Sequence, residues 1–316
     1  MSVFAYFGPS GTFTEIALDK LLSERLPRQT MPRVTGENQK IAANSPAATI
    51  EMVRGGVADF GCVPIESSVE GAVPATADAL VPPGPGTAGR VQAFAEVILD
   101  VAFTIAAREP MSASEVRSVA AYPVAAAQVR ESVEKLYPQA GFVNASSNAA
   151  AAADVAAGRA DVAVTTSLAA EIAGLTVLAD GVADADEAHT RFLLIGPPGP
   201  TPARTGADRT SVILDLPNVP GSLMAAMNEY ASRGIDLTRI ESRPRREVPG
   251  SHRFYLDAVG HIDDDAVGEA LRALYRRCER VVFLGSWPVD RTTGAPPPDT
   301  SDSMVWFDGI RSGEAP

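Results

Sequence analysis

The sequence has few of the features that mark a membrane protein or a metalloprotein. No segment approaches the roughly 18 consecutive apolar residues of a membrane helix, so we expect no membrane partner. Only 3 histidines occur, and His189, His252 and His261 lack the spacing of metal ligands. The sequence therefore predicts no bound metal.

Basic residues and cysteines are also scarce. The 27 basic side chains face 39 acidic ones, and the net charge of −12 argues against a nucleic-acid partner. An anionic ligand would need local groups to hold it: an arginine, a helix N-terminus or backbone N–H groups. The two cysteines, Cys62 and Cys278, lie in separate apolar runs, which favours buried free thiols in a reducing compartment. The N-terminus MSVFAYFGPSG has no signal-peptide pattern, so the expected location is cytoplasmic.

Short apolar runs alternate with alanine-rich helical patterns over residues 1–197. This alternation, with strands that are apolar almost throughout, predicts parallel sheets covered by helices on both faces. The predicted strands are 3–7, 59–64, 98–106, 116–122, 161–165, 175–179 and 191–196. The predicted helices are 12–26, 46–55, 124–136, 147–158 and 166–173.

A different pattern begins after the Pro/Gly-rich linker at 196–208. The predicted elements are strand 209–216, helix 221–233, strand 236–246, strand 251–260, helix 264–277 and strand 279–285. This βαββαβ order, over residues 209–287, is the ferredoxin-like plan. The tail at 288–316 is rich in Pro, Ser and Asp, which predicts disorder, although MVWF (304–307) is an apolar island within it.

Two short motifs match known signatures but lack the context that those signatures require. GPGTAG at 84–89 has the spacing of a dinucleotide-binding loop, yet prolines surround it where a strand and a helix are needed. SVEK at 132–135 matches S-x-x-K, but it lies inside an amphipathic helical pattern with no partner motif. Neither motif predicts a binding site.

Two segments place small and polar residues directly after predicted strands, where open α/β sheets bind ligands. FGPSGTFTEIAL (7–18) permits a tight turn into a helix, which Thr12 or Thr14 can cap while N–H groups stay available to an anion. VPIESSVEGAV (63–73) gathers two serines with Glu66 and a second glutamate between apolar flanks. Each segment also fits an ordinary strand-to-helix turn with a capping residue.

A third segment, AHTRFLLIG (188–196), opens an apolar strand with a hydroxyl and a cation. Arg191 could hold a carboxylate in a bidentate fork, and Thr190 could position a leaving hydroxyl. The alternative is a structural ion pair between Arg191 and one of the nearby acidic residues Asp184, Asp186 and Glu187.

Taken together, these segments resemble those of a known enzyme family. GPSGTFTEIAL, PIESSVEGAV, YPVAAAQVR, HTRFLLIG, NVPGSLMAAM and IESRP occur in the order found in prephenate dehydratases. The resemblance extends from Val3 to about Trp287. It implies a two-lobed α/β domain like the type II periplasmic binding proteins over residues 1–197, followed by a ferredoxin-like ACT domain over 209–287.

The resemblance also implies a reaction and a set of site residues. Prephenate would lose CO₂ and water to give phenylpyruvate, and because aromatisation drives the reaction no cofactor is expected. Thr190 would hydrogen-bond or relay a proton to the leaving hydroxyl, with Arg191 and Glu66 as further catalytic candidates. The implied substrate contacts are Thr12, Thr14, Ser67, Gln128 and Phe192.

The sequence departs from the family pattern at three points. Ser67 stands where the family usually has Asn, so the two-ended amide is lost. Ala-Tyr-Pro at 121–123 replaces the frequent Ser-His-Pro, and Ala188 replaces a frequent Asn. These changes leave Thr190 in place.

The PGSL and ESRP segments match the phenylalanine-binding motifs of the family. The resemblance places L-phenylalanine, as an allosteric ligand, between paired ACT domains of a homodimer or homotetramer. The implied contacts are Val219, Gly221, Ser222, Leu223, Glu241 and Ser242. Two other functions stay open: a non-catalytic amino-acid-sensing binding protein, and an arogenate dehydratase.

Overall fold

The computed structural model describes residues 1–25, 38–84, 89–184 and 188–314. They form two compact units, each with its own core. Among the described residues, the first unit holds 1–25, 38–79, 96–184 and 188–197, and the second holds 80–84, 89–95 and 198–314. In this described part of the chain, every helix is too short or too polar to span a bilayer.

The first unit is built mainly from the elements that precede residue 197. In chain order these are β1 (Ser2–Phe7), α1 (Phe13–Lys20), β2 (Asn38–Ala43), α2 (Pro46–Arg54), β3 (Phe60–Ser67), β4 (Gly71–Ala72), α3 (Pro74–Leu80), β5 (Gln92–Asp100), β6 (Thr104–Ala107), β7 (Ser118–Ala121), α4 (Pro123–Gln128), α5 (Arg130–Leu136), β8 (Gly141–Asn144), α6 (Asn148–Ala156), β9 (Val162–Thr165), α7 (Ser167–Ile172), β10 (Thr176–Ala179) and β11 (His189–Gly196). A π-helical turn, Leu21–Arg25, continues α1.

The first lobe of this unit is organised around β1 and β3. β1 pairs in parallel with β2 and β3, whereas β11 runs antiparallel to β3. On its other side, β11 is flanked by β5. The carboxyl ends of β1 and β3 and the start of β11 therefore share one edge of the sheet. This edge carries the turn before α1, the end of β3 and Thr190.

The second lobe is one continuous stretch of chain inserted between β5 and β11. Its five strands have the order β10-β6-β9-β7-β8. β7 is parallel to β8 and β9, and β6 is antiparallel to β9 and β10. Buried aliphatic residues such as Ile105, Val119 and Val164 form its core. The two crossings between lobes confirm the predicted two-lobed α/β class.

The second unit contains β12 (Asp208–Asp215), α8 (Ser222–Ala231), β13 (Leu237–Pro244), β14 (His252–Val259), α9 (Asp265–Arg277), β15 (Arg280–Pro288) and α10 (Ser301–Ser312). The sheet order β13-β14-β12-β15 is antiparallel throughout. Buried residues of α8 and α9, among them Tyr230 and Leu274, pack with Leu214 and Leu256 of the sheet. The predicted ferredoxin-like plan is confirmed.

The structure differs from the sequence predictions in several places. The sheets of the first unit are not wholly parallel, because β6, β10 and β11 make antiparallel pairs. The elements β2, β4, β8 and α3 are not among the predicted ones, and the predicted helix 124–136 is two helices, α4 and α5. The predicted strand 98–106 is two strands, β5 and β6, because the apolar run continues through the crossing between the lobes without a turn signal. The tail expected to be disordered contains α10, whose residues Met304, Trp306 and Phe307 line a cavity beside α8 and α9.

Both cysteines are free, as predicted, but only one is fully buried. Cys62 lies inside β3, whereas Cys278 ends α9 and is half-buried. Burial raises the pKa of the Cys62 thiol, and it raises the pKa of Cys278 to about 11. Both side chains are therefore protonated thiols at neutral pH.

Candidate active site

Thr190 is held in a defined register at the start of β11. Its backbone lies opposite Ser67 of β3, and the next pair along the ladder is Arg191 with Glu66. The pairing brings together four of the residues that the sequence singled out, from segments more than 120 positions apart. These residues are distant in the sequence and meet because the chain returns from the second lobe to the first.

Contacts on both sides of these pairs fix the register. The N–H of Ser68 donates to the carbonyl of His189 at 2.9 Å, and the N–H of His189 donates to Ser68 Oγ at 2.9 Å. Further along, Phe192 pairs with Pro64, so the buried Ile65 is an extra residue on β3 and forms a bulge. Bulges of this kind re-aim neighbouring side chains and are frequent beside active sites.

Arg191 lies between two carboxylates from the strands on either side of it. Its Nη2 is 3.2 Å from Glu66 Oε2, and its Nη1 donates to Glu96 Oε2 at 3.3 Å. The Arg191 side chain is 4% exposed and that of Glu96, on β5, is 0% exposed, whereas Glu66 is 40% exposed. The guanidinium therefore joins a buried carboxylate to one that reaches solvent.

Of the acidic residues named as alternative partners of Arg191, Asp184 is described and has another placement. Asp184 accepts hydrogen bonds from the backbone N–H groups of Glu131 and Ser132, at 2.9 and 2.8 Å. Asp186 and Glu187 lie outside the described residues. The ion pair with Glu66 and Glu96 was not anticipated from the sequence.

The turn before α1 is stabilised differently from the prediction. Thr12 is the N-cap residue, but its hydroxyl donates to the carbonyl of Phe7 at 3.1 Å and makes no side-chain cap. The carboxylate of Glu15 holds the turn instead, accepting from the Gly11 N–H at 2.8 Å and from Ser10 Oγ at 2.7 Å. Glu15 lies three positions after Thr12, the spacing of a capping box, so the sequence did contain this signal.

Glu15 also forms an ion pair with Lys40 of β2, at 2.7 Å. Burial by itself would raise the pKa of Glu15, but hydrogen bonds from Lys40, Gly11 and Ser10 together lower it below its ordinary value. Burial would lower the pKa of Lys40, yet its bonds to Glu15 and Asp19 raise it. Both groups are therefore held in their charged forms.

The second lobe supports the same turn. Thr166 Oγ1 donates to the carbonyl of Gly11 at 2.6 Å and accepts from the Ala169 N–H at 3.0 Å, which caps α7. Gly11 has a φ of +88°, and a Cβ built there would lie 2.8 Å from Ala169 Cβ. Only glycine fits such a contact. Phe13 and Phe103 pack edge to face across the lobes, with ring centroids 5.7 Å apart.

The other predicted contacts occupy several environments. Thr14 is buried in the first turn of α1, and Phe192 is buried in β11. Ser67 Oγ accepts from the N–H groups of Val69 and Glu70, both at 3.3 Å, and so closes a turn. Gln128 ends α4, and its buried Oε1 has no hydrogen-bond partner among the described residues.

The residues implied for phenylalanine lie in two elements of the second unit. Gly221 is the N-cap of α8, with a φ of +84°. Val219 is exposed before it, Ser222 begins the helix, and Leu223 packs against the core. On the edge strand β13, Ser242 is exposed and the carboxylate of Glu241 is ion-paired to its strand neighbours, Arg239 and Arg243.

Fold and site together define a class: a two-lobed α/β unit with a polar cluster at one sheet edge, followed by a ferredoxin-like unit. The family model for prephenate dehydratase matches residues 4–199. The prephenate dehydratase of Mycolicibacterium vanbaalenii is 54% identical over 315 residues, 99% of each chain. The chain belongs to the prephenate dehydratase family and is a hydro-lyase.

Several solved structures resemble the chain over most of its length. The prephenate dehydratase of Arthrobacter aurescens, solved in complex with L-Phe, is 34% identical with a TM-score of 0.85 and covers 98% of this chain and 100% of its own. GqqA, described as a novel type of quorum quenching acylase, is 27% identical with a TM-score of 0.76 and covers 91% and 98%.

Proposed function

We propose that this enzyme converts prephenate into phenylpyruvate, CO₂ and water in the cytoplasm, as a step of phenylalanine biosynthesis. The observation that carries the proposal is the fixed register of Thr190 opposite Ser67, with Glu66 in the adjacent pair. This places the Thr190 hydroxyl at the edge where α/β sheets bind ligands, and the partly exposed Glu66 lies in the neighbouring pair at the same edge. Family membership supplies the choice of prephenate.

In the proposed mechanism the electrons of the bond between the ring and its carboxylate move into the ring as CO₂ departs. The ring hydroxyl leaves from the opposite carbon, takes up one proton and becomes water. The Thr190 hydroxyl hydrogen-bonds to the leaving oxygen, and Glu66 is the candidate proton source. Aromatisation makes the step favourable, so the residues need only orient the substrate and assist departure.

The substrate carboxylates need positive or N–H-rich surroundings. Arg191 is buried and engaged by two carboxylates, so it serves the site by holding Glu66 and does not present a fork to the substrate. The N-terminus of α1, beside Thr12 and Thr14, is the better anion site because the N–H groups of the first two helical residues, Phe13 and Thr14, have no acceptor within a helix. Gln128 and Ser67 are the remaining polar candidates, and Phe192 supports the strand from the core side.

The decisive experiment compares Thr190→Ala with Thr190→Ser in a phenylpyruvate-formation assay. We expect Thr190→Ala to reduce kcat about 100-fold or more, since the leaving group loses its donor. Thr190→Ser keeps the hydroxyl and should retain far more activity. If the folded wild-type enzyme turns over arogenate but not prephenate, the substrate is arogenate and the proposed substrate is wrong. Turnover of neither compound would favour a binding protein.

We further propose that residues 209–287 form an ACT domain and that L-phenylalanine binds between two copies of it, in a homodimer or homotetramer. The complex of the Arthrobacter aurescens relative with L-Phe supports this ligand. The N-terminus of α8, at Gly221 and Ser222, is suited to the amino acid carboxylate, and Glu241 to its ammonium group. Phenylalanine would then lower turnover through a coupling that substrate binding must reciprocate.

A pair of glycine variants tests this second proposal. Gly221 and Gly250 both have positive φ values, +84° and +80°, and open space where a Cβ would lie. Alanine should therefore strain both loops equally. We expect Gly221→Ala to raise the phenylalanine concentration for half-inhibition about tenfold or more, and Gly250→Ala to leave it unchanged. Equal responses of the two variants would count against the proposed site.

A further inference from the structure

A buried carboxylate, that of Glu96, contacts Arg191 of the candidate active site, and no sequence motif predicted it. Glu96 is the one ionisable residue within the buried run QAFAEVIL of β5, and its side chain has no exposed surface. A carboxylate in such surroundings is unfavourable unless a cation or several donors compensate it. Arg191 Nη1, at 3.3 Å, supplies that cation.

The ion pair extends from the interior of the lobe to the polar edge of the sheet. Arg191 has one nitrogen on Glu96 of β5 and the other on Glu66 of β3, so its planar guanidinium links the two strands that flank β11. Glu66 is 40% exposed, and its ion pair with Arg191 restrains its side chain. The position of the exposed carboxylate therefore depends on how firmly the buried one holds the guanidinium.

We infer that Glu96 is a positioning residue of the dehydratase site, which acts through Arg191 to orient Glu66 at the sheet edge that carries Thr190. The inference rests on the proposed function, because it assigns Glu66 a part in that reaction. Glu96 itself contacts no substrate. Its removal takes the buried carboxylate partner from Arg191, and the guanidinium and Glu66 then move together away from the geometry that the wild type maintains.

This role predicts a particular kinetic pattern for Glu96→Gln. Glutamine keeps the size of the side chain and one acceptor oxygen but removes the charge that holds Arg191. A misplacement of about 1 Å at a reacting group can lower a rate about 100-fold. We expect kcat to fall about 10- to 100-fold while KM stays within about threefold, because the substrate contacts are unchanged.

The matched control is Val97→Ala, the next residue of β5. Val97 is fully buried, and its side chain points to the opposite face of the strand. The control should lower the thermal midpoint and leave kcat per folded molecule within about twofold of wild type. If Val97→Ala loses kcat in the same proportion as Glu96→Gln, the role of Glu96 is merely structural and the inference is overturned.

A double-mutant cycle with Glu66→Gln tests the route of the effect. If Glu96 acts through Glu66, then adding Glu96→Gln to Glu66→Gln should change the residual kcat by less than about threefold. The same fold-loss in both backgrounds overturns the inference, as does full kcat for Glu96→Gln alone. Wild-type protein that does not turn over prephenate contradicts the proposed function itself, and that result is visible before any variant is compared.

Discussion

Single side chains decide how the first lobe responds to acid, and Glu15 is the clearest case. Because the folded protein lowers its pKa, Glu15 stabilises the fold at pH values above its ordinary range near 4.5. That stabilisation is lost as pH falls through the lowered value. As the pH is lowered past about 4.5, we expect the unfolding free energy of wild type to decrease. The decrease should be smaller in Glu15→Gln.

Urea unfolding at several pH values measures this difference. Glu134→Gln, at an exposed position on α5, is the control and should keep the pH dependence of wild type. An unchanged acid response in Glu15→Gln would mean that the bonds from Lys40, Gly11 and Ser10 do not hold this carboxylate in solution.

Some of the individual site residues could be predicted from the sequence and others could not. The segments around Thr190, Glu66 and Thr12 were identified because each follows or opens an apolar strand. Glu15 was predictable from its capping-box spacing, although the residue was overlooked. Glu96 was not, because its partner Arg191 lies 95 positions away and only the order of strands brings them together.

At the scale of whole elements, α7 depends on one hydroxyl that serves two purposes. Thr166 caps the helix and also donates to the Gly11 carbonyl in the other lobe. Thr166→Val keeps the shape and removes both bonds, so we expect a loss of about 1–3 kcal/mol in unfolding free energy. Thr166→Ser should recover most of it. Chemical denaturation of the two variants measures the difference, and equal stabilities would contradict the assignment.

Element predictions succeeded where burial was high and failed where it was low. Strands with apolar sequences, such as β3 and β9, were found within a few residues. β2 and β8 were missed because both are edge strands whose side chains are largely exposed, so they carry no apolar pattern to detect. The boundary between β5 and β6 was missed for the opposite reason, since both sides of it are apolar.

At the scale of the whole molecule, two compact units, each with a buried hydrophobic cluster, predict two separable unfolding transitions. The tryptophans offer a direct way to tell them apart. Trp287 is buried in β15 and Trp306 is exposed on α10, so both report on the second unit. Heating followed by tryptophan fluorescence should therefore differ from heating followed by circular dichroism, which senses both units.

L-Phenylalanine should move only one of these transitions. A ligand at 100 times its Kd stabilises the folded form by about 2.7 kcal/mol. We expect L-phenylalanine to raise the midpoint temperature of the transition seen by tryptophan fluorescence. The transition of the first unit, seen by circular dichroism, should keep its midpoint temperature. Coincident midpoints by both methods, with or without ligand, would show that the chain unfolds as one cooperative body.

The insertion of the second lobe between β5 and β11 has a consequence for the order in which the protein can be made. A growing chain leaves the ribosome from its N-terminus. β1, β2 and β3 therefore emerge early. The edge of β3 that pairs with β11 stays unpaired until about residue 196 has been translated. The second lobe can complete its sheet first. The last strand to join the first lobe, β11, also carries Thr190. The nascent enzyme therefore has its candidate catalytic hydroxyl in place only when β11 has paired with β3.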